Sequence, residues 1–320
     1  MACKAKTSAA TMDRREFAGL ALTALGAAAL GSSAPAAGDA GPLLPTVRWG
    51  KHEITRVLVG HNTMKGMSHL SPELSLEMRE WFEADPTRIP HLLRRCGQMG
   101  INATQMGFRP DREEGFIEEA LRAHYEQGGA LNWIATFYSL PTEREAVERE
   151  LARILRMKPR PIGIQQVGNT SDALMKQGKP ELSLENLKRF RDAGLLVGLG
   201  SHNCEVIAHA EDKGWDVDFY QCSFYRSVFS LKPIRAGEVF EDSDREAMTR
   251  TIRQVSKPCL AFKVLGSSRH CRSAATVEAA LRFAFENIKP ADVVLLGMWE
   301  KHKDQVAENT AIARRILGAA

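Results

Sequence analysis

The chain contains no CxxC, HxH or HxxxH pair, although it carries six cysteines and nine histidines. A transition metal would therefore need ligands gathered from distant segments rather than from one turn of chain. It also lacks a basic run interleaved with aromatics. Lysines and arginines are dispersed among acids, as at Arg144-Glu145 and Glu300-Lys301, and the formal charge is only +4. That distribution describes solvated faces and gives no footprint for nucleic acid. Paired carboxylates are missing from the strand ends. Asp111, Glu113 and Asp172 sit further out, so a two-carboxylate glycosidase has no obvious pair. No GxGxxG follows the first strand-like segment, which argues against an open dinucleotide-binding sheet.

What is present starts with an arginine pair. Met12-Asp-Arg-Arg-Glu-Phe17 leads into a mild apolar run ending near Leu30, followed by the small residues Ser32-Ser-Ala-Pro-Ala-Ala37. This is the order of a cleavable signal: basic region, apolar region, small-residue cleavage site. Gly26, Gly31, Ser32, Ser33 and Pro35 dilute the run below the ~20 apolar residues a bilayer span requires. Arg14-Arg15-Glu16-Phe17 resembles the twin-arginine export signal, which a membrane receptor reads as an address. A general secretory signal that happens to carry two arginines is the alternative. Residues 1–37 are thus expected to be a leader, 38–50 a linker, and 51–318 one folded domain that meets the membrane only during export. Removing the leader takes Lys4, Lys6, Arg14 and Arg15 with Asp13 and Glu16, leaving about +2. Cys3 leaves too, and the odd, widely spaced Cys96, Cys204, Cys222, Cys259 and Cys271 define no disulfide framework.

Beyond Pro45 short apolar runs alternate with longer helical patterns. Strands are expected at Thr55–Gly60, Ile101–Met106, Ala130–Phe137, Ile162–Val167, Leu195–Leu199, Val217–Cys222, Cys259–Val264 and Val293–Leu296. Each is followed by apolar residues at i, i+3, i+4 and i+7, clearest over Glu143–Leu155 and Thr276–Phe285. Gly100, Gly128, Gly194 and Gly214 follow helices where a left-handed residue ends them. Eight strand-helix units in this length match a closed parallel (β/α)8 barrel, the TIM barrel.

In such a barrel function lies where the strands' C-terminal ends feed the following loops. That rule selects His61 and Asn62, Gln105, Tyr138, Gln165, Gln166 and Asn169, His202 and Asn203, Cys222 and Tyr225, and Lys263. His202 and Lys263 are the leading acid/base candidates. The amides Gln165, Gln166 and Asn169 suit hydrogen bonding to a polar ligand better than chemistry, because amides do not exchange protons near neutral pH. His61, His202 and Cys222 are of metal-ligating type but equally serve as structural residues. Lys263 can form an imine, hold an anion or close a salt bridge. Tyr138 and Tyr225 read as substrate platforms or as rim packing.

Several stretches resemble the aldo-keto reductase superfamily: Ile54-Thr-Arg-Val-Leu-Val-Gly60, Met99-Gly-Ile-Asn-Ala-Thr104, Leu199-Gly-Ser-His-Asn-Cys-Glu-Val-Ile207, Ala279–Phe285 and Val294–Asn309. The resemblance implies that the last strand and helix hold the adenosine phosphate of NADP, with Lys301 and Lys303 standing where the family's phosphate-binding residues are expected. It also implies an Asp-Tyr-Lys-His catalytic set, and here this chain departs. Gln105 stands where the aspartate would sit, no tyrosine follows it closely, Phe137 ends a strand without its lysine, and Gln165-Gln166 replaces the histidine. Standard carbonyl reduction is therefore disfavoured. The expectation is an exported enzyme acting on a small polar, carbohydrate-like or carbonyl-bearing molecule. The alternatives are an NAD(P)-dependent oxidoreductase with a rebuilt site and a ligand-binding barrel without catalysis.

Overall fold

The computed structural model describes residues 42–109, 115–226 and 240–318. The leader expected at residues 1–37 lies outside them, as do Asp111 and Glu113.

The chain enters through an antiparallel hairpin, β1 (Thr46–Trp49) and β2 (His52–Thr55), turned at Gly50 with φ +58°. β1 falls inside the segment expected to be linker, so the folded domain begins earlier than residue 51. Eight parallel strands then close a barrel: β3 (Val57–Gly60), β4 (Ala103–Gly107), β5 (Asn132–Phe137), β6 (Gly163–Gln166), β7 (Leu196–Ser201), β8 (Phe219–Ser223), β9 (Cys259–Phe262) and β10 (Val293–Gly297), with β10 pairing β3. All eight expected strands are present, each with at least one end shifted by one or two residues. The helices are α1 (Pro72–Glu83), α2 (Arg88–Gln98), α3 (Gly115–Glu126), α4 (Arg144–Arg156), α5 (Gly168–Lys176), α6 (Ser183–Asp192), α7 (Cys204–Asp212), α8 (Asp242–Gln254), α9 (Ala274–Asn287) and α10 (Gln305–Leu317). Gly194 and Gly214 do adopt left-handed backbone just after helices, at φ +73° and +63°.

Strand side chains alternate, so each barrel strand serves two cores. Outward residues such as Val59, Trp133, Ile164, Val197, Tyr220 and Val294 join the helices in the larger apolar cluster. Inward residues Leu58, Ala103, Ile134, Phe219, Leu260 and Val293 form a second cluster low in the barrel, with Trp49 and Ile54 of the hairpin. Trp49 closes this end: its ring centroid lies 4.9 Å from that of Phe219, and its indole N–H donates to the Ala291 carbonyl at 3.2 Å. The floor is apolar. Two residues further along β4, β5 and β8 the inward side chains are the polar Gln105, Thr136 and Gln221.

Candidate active site

The upper inward positions are Gly60, Gln105, Thr136, Gln165, Gly200 and Gln221, with Phe262 and Leu295, and they line a cavity of about 720 Å³. That lies within the range of roughly 300–1,000 Å³ common for small-molecule sites. Gln105 and Gln221 reach across the barrel and exchange hydrogen bonds through both amides, the Gln221 Nε2 donor lying 3.2 Å from Gln105 Oε1. Gln165 donates through Nε2 to Thr136 Oγ1 at 3.4 Å. Its Oε1 is buried and accepts from no protein donor.

One wall carries an imidazole held by a carboxylate. His202 follows β7, and its Nδ1 lies 2.9 Å from Oδ2 of Asp172 on α5. The same carboxylate accepts the His202 backbone N–H and the Ser201 hydroxyl, and its side chain is 1% exposed. A fully buried acceptor fixes Nδ1 as the protonated nitrogen of the neutral ring, leaving Nε2 as the nitrogen open to the cavity. The close approach depends on Gly168 at the start of α5, where a Cβ would stand 2.9 Å from His202 Nδ1. Phe262 packs edge-on against the ring at 5.3 Å between centroids.

A second grouping on the cavity sets a phenol between a lysine and another imidazole. Tyr138, just past β5, has its hydroxyl 3.1 Å from His61 Nε2 and 3.2 Å from Lys65 Nζ. His61 Nδ1 donates to the Gln105 carbonyl at 3.0 Å. Burial, with Lys65 adding to it, pushes the His61 imidazole down to about 3, so it is neutral at physiological pH. Its Nε2 therefore accepts from the Tyr138 hydroxyl, whose oxygen in turn accepts from Lys65. An ammonium at that distance stabilises negative charge developing on the phenol oxygen. The backbone here is pinned from behind: Glu150 on α4 is buried and accepts the N–H groups of Tyr138 and Ser139, both at 2.8 Å. Burial pushes the Glu150 carboxyl up while those hydrogen bonds pull it back. Distant residues thus build a tyrosine-lysine-histidine grouping that no single segment spells out.

Strand parity sorts the remaining candidates. Asn62, Asn169, Lys263 and Lys303 line the cavity with His61, Gln105, Tyr138, Gln165 and His202. Lys263 does so from left-handed backbone at φ +58°, with its ammonium 5.4 Å from the centroid of the Phe240 ring. Gln166 does not reach the cavity. It faces outward, donating to Ser171 Oγ and Ser183 Oγ and accepting from Asn186. Asn203 is occupied as the N-cap of α7, accepting the Glu205 N–H at 3.1 Å. Tyr225 is buried in the outer layer, its hydroxyl 2.9 Å from His270 Nε2. Cys222 also faces outward, and burial beside Cys259 pushes its thiol up, which opposes the thiolate a metal needs. His61, His202 and Cys222 therefore do not converge, and no group of three or more metal-ligating side chains occurs among the described residues.

The far end of the cavity does not fit the phosphate of NADP. Lys303 Nζ lies 2.7 and 2.9 Å from the two oxygens of Glu308, and Lys301 is paired with Glu77 of α1 at 2.7 Å. The N-terminus of α10 is capped by the Asp304 carboxylate, which accepts the Ala307 N–H at 2.8 Å. An anion arriving there meets two carboxylates where a phosphate site offers free donors. Lys301 and Lys303 are thus held in ion pairs.

Lys65 and Glu150 were not singled out from the sequence, and Asp172, read there as sitting further out than the strand ends, is instead brought against His202. No protein-family model matches the chain, and no curated protein matches it in sequence. Solved structures do match in fold. A thermostable aldo-keto reductase crystallised with the inhibitor epalrestat superposes at a TM-score of 0.53 with 13% identity, covering 87% of this chain and 100% of its own. A protein described as a 2,5-diketo-D-gluconic acid reductase B gives 0.53 at 12% identity, over 87% and 90%. A protein solved in complex with NADPH gives 0.52 at 10%, over 86% and 92%. At these identities the likeness is one of fold.

Proposed function

We propose that the cavity is the active site of an enzyme that moves protons on a small carbonyl-bearing, carbohydrate-like substrate, working without nicotinamide. The observation that carries this reading is the buried Asp172–His202 pair, which presents one imidazole nitrogen to the cavity as a base. His202 Nε2 takes a proton from a carbon beside the substrate carbonyl, and the electron pair moves onto the carbonyl oxygen. To hydrogen-bond that oxygen the Tyr138 hydroxyl turns its single proton from His61 Nε2 to the substrate, while Lys65 goes on donating to the phenol oxygen. Return of the proton to the same carbon gives exchange; delivery to the former carbonyl carbon, with the proton of the adjacent substrate hydroxyl passing to the first oxygen, gives isomerisation. Lys263 serves as a cationic contact at the rim, in place of the acid/base role first considered.

The test is proton exchange in deuterium oxide, followed by proton NMR, with D-fructose, dihydroxyacetone and pyruvate as probes and no nucleotide added. We expect at least one probe to lose a C–H signal with the native protein and to keep it with His202→Ala. Absence of exchange with every probe, or equal exchange by the variant, rejects the reading.

A second reading, an NAD(P)-dependent oxidoreductase with a rebuilt site, draws on the extension of the cavity to Gln305, Glu308 and Asn309 of α10. Quenching of protein fluorescence by NADPH at micromolar concentration would favour it. Delivery through the twin-arginine route belongs to the proposal as well, and it rests on Arg14-Arg15 and the apolar run behind them. Replacing both arginines by lysine is expected to hold the protein in the cytoplasmic fraction. Unchanged export would assign the leader to the general secretory route.

A further inference from the structure

We infer that Gln165 is the specificity-determining residue of the cavity and that it reads a hydroxyl group, so that the substrate is a polyhydroxylated carbon chain of the sugar or polyol class. This inference rests on the cavity being the active site, as proposed above, and names what that site takes. Gln165 is 1% exposed, and its Oε1 is a buried acceptor with no donor from the protein. The neighbouring amides are not in this condition: Gln105 and Gln221 satisfy each other. An orphaned buried acceptor is costly unless something in the cavity donates to it. A carbonyl or carboxylate has no proton to give, whereas a hydroxyl has one. Turning the amide over would set Oε1 against the Thr136 hydroxyl, which can donate, and Nε2 in the cavity; a ligand hydroxyl, being both donor and acceptor, satisfies the group in either orientation.

The surroundings are shaped for that atom. On β7, Gly198 and Gly200 stand beside Gln165, and a Cβ on Gly200 would lie 2.5 Å from Gln165 Oε1. Any larger residue at position 200 would fill the space from which a ligand hydroxyl approaches. His202, two residues further along the same segment, lines the same cavity. A hydroxyl held by Gln165 therefore anchors the carbon chain beside the base.

Isothermal titration of the native protein with D-glucose, D-fructose and D-mannitol, and with the monodeoxy analogues of D-glucose, tests the assignment. At least one polyol is expected to bind, and Gln165→Leu to weaken it about tenfold, the order of one neutral hydrogen bond with its desolvated partner. One deoxy analogue should bind the native protein about tenfold more weakly than its parent and bind Gln165→Leu no worse than the native protein, since the lost partner is the same. Gln165→Glu, which keeps an acceptor, should retain affinity for the parent. Retained affinity in Gln165→Glu together with an unchanged urea midpoint in Gln165→Leu separates the lost hydrogen bond from a folding defect; an alanine at position 200 could not do so, because its Cβ would also press on the Gln166 carbonyl oxygen at 2.8 Å. Equal affinity of the Leu variant for every polyol, or no binding of any polyol to the native protein, overturns the assignment; the latter would mean that Oε1 is met by water alone. Polyol binding without deuterium exchange would reject the proton-transfer reading and leave this one standing. Exchange on pyruvate that Gln165→Leu does not alter, with no polyol bound, would do the reverse.

Discussion

The barrel interior has two levels that differ by only two residues along each strand. Low in the barrel, Leu58, Ala103, Ile134, Phe219, Leu260 and Val293 pack against the entry hairpin and leave no polar group to satisfy. At the mouth, Gly60, Gln105, Thr136, Gln165 and Gln221 occupy the next inward positions, and ionisable groups arrive from the loops. The lower level repays burial through apolar area removed from water. The upper level loses that gain and instead carries buried amides, two imidazoles and a lysine, each of which is costly without a partner. This division separates stability from chemistry, as expected where loops at one end of a barrel carry function. It also explains why the mouth is built in layers of support. Asp172 holds His202, Glu150 holds the backbone of Tyr138, and neither need touch a ligand.

Variants at the two levels should therefore fail in different measurements. The largest effect is expected at Asp172→Asn, which keeps the shape of the side chain but no longer fixes the protonated nitrogen of His202. Proton exchange should fall about a thousandfold or more, with a small change in the urea midpoint. A loss of fold without a loss of rate per folded molecule would place Asp172 in the scaffold. Phe219→Ala, on the floor, should show the opposite signature. It should cost about 3–5 kcal/mol in unfolding free energy and leave ligand affinity intact, because the cavity it opens is sealed from the mouth by the level above. A third effect separates the levels by pH. His61 protonates only near 3 when folded, against an ordinary 6.5. An unfolded chain takes up that proton first, so stability is full above 6.5 and falls as pH drops toward 3, by about 1.4 kcal/mol per pH unit for one proton. His61→Gln should remove that slope from urea midpoints taken across the window. His124, lowered to about 4 by its own burial in the outer layer, should retain a slope of its own.

The barrel was legible before the structure because its strand-helix units follow a rule of order and period, although continuous apolar runs such as Cys259-Leu260-Ala261-Phe262 do not say which residues form the floor. The mouth was legible only in outline. Position along a strand identified His61, Tyr138, Gln165 and His202, yet the same rule also brought in Gln166 and Cys222, which a one-residue change of parity sends outward, and Tyr225, which lies past the end of β8 and is buried in the helix layer. Supporting groups were hidden for a different reason. Asp172 is 30 residues from His202 and Lys65 is 73 from Tyr138, so their meeting depends on how α5 and the loop after β3 fold back over the barrel. The resemblance places a tyrosine a few residues beyond Gln105, whereas Tyr138 stands one strand further on, just past β5.

The smallest predicted effect concerns the boundary of the functional level at α10. If Lys303 is committed to Glu308, removing it should not change the response to NADPH, while freeing it should. Glu308→Gln leaves a cation at the cavity edge, and NADPH quenching of protein fluorescence should strengthen by no more than about fivefold, the limit for an exposed pair. Lys303→Met should leave the native response as it is. Asp304 still caps the helix in both variants, so neither should approach the affinity of an open phosphate site. A large loss in Lys303→Met would mean that the pair opens to admit a phosphate. The chemical level of the barrel would then run from Gln165 through to α10, and the second reading of its function would gain the ground.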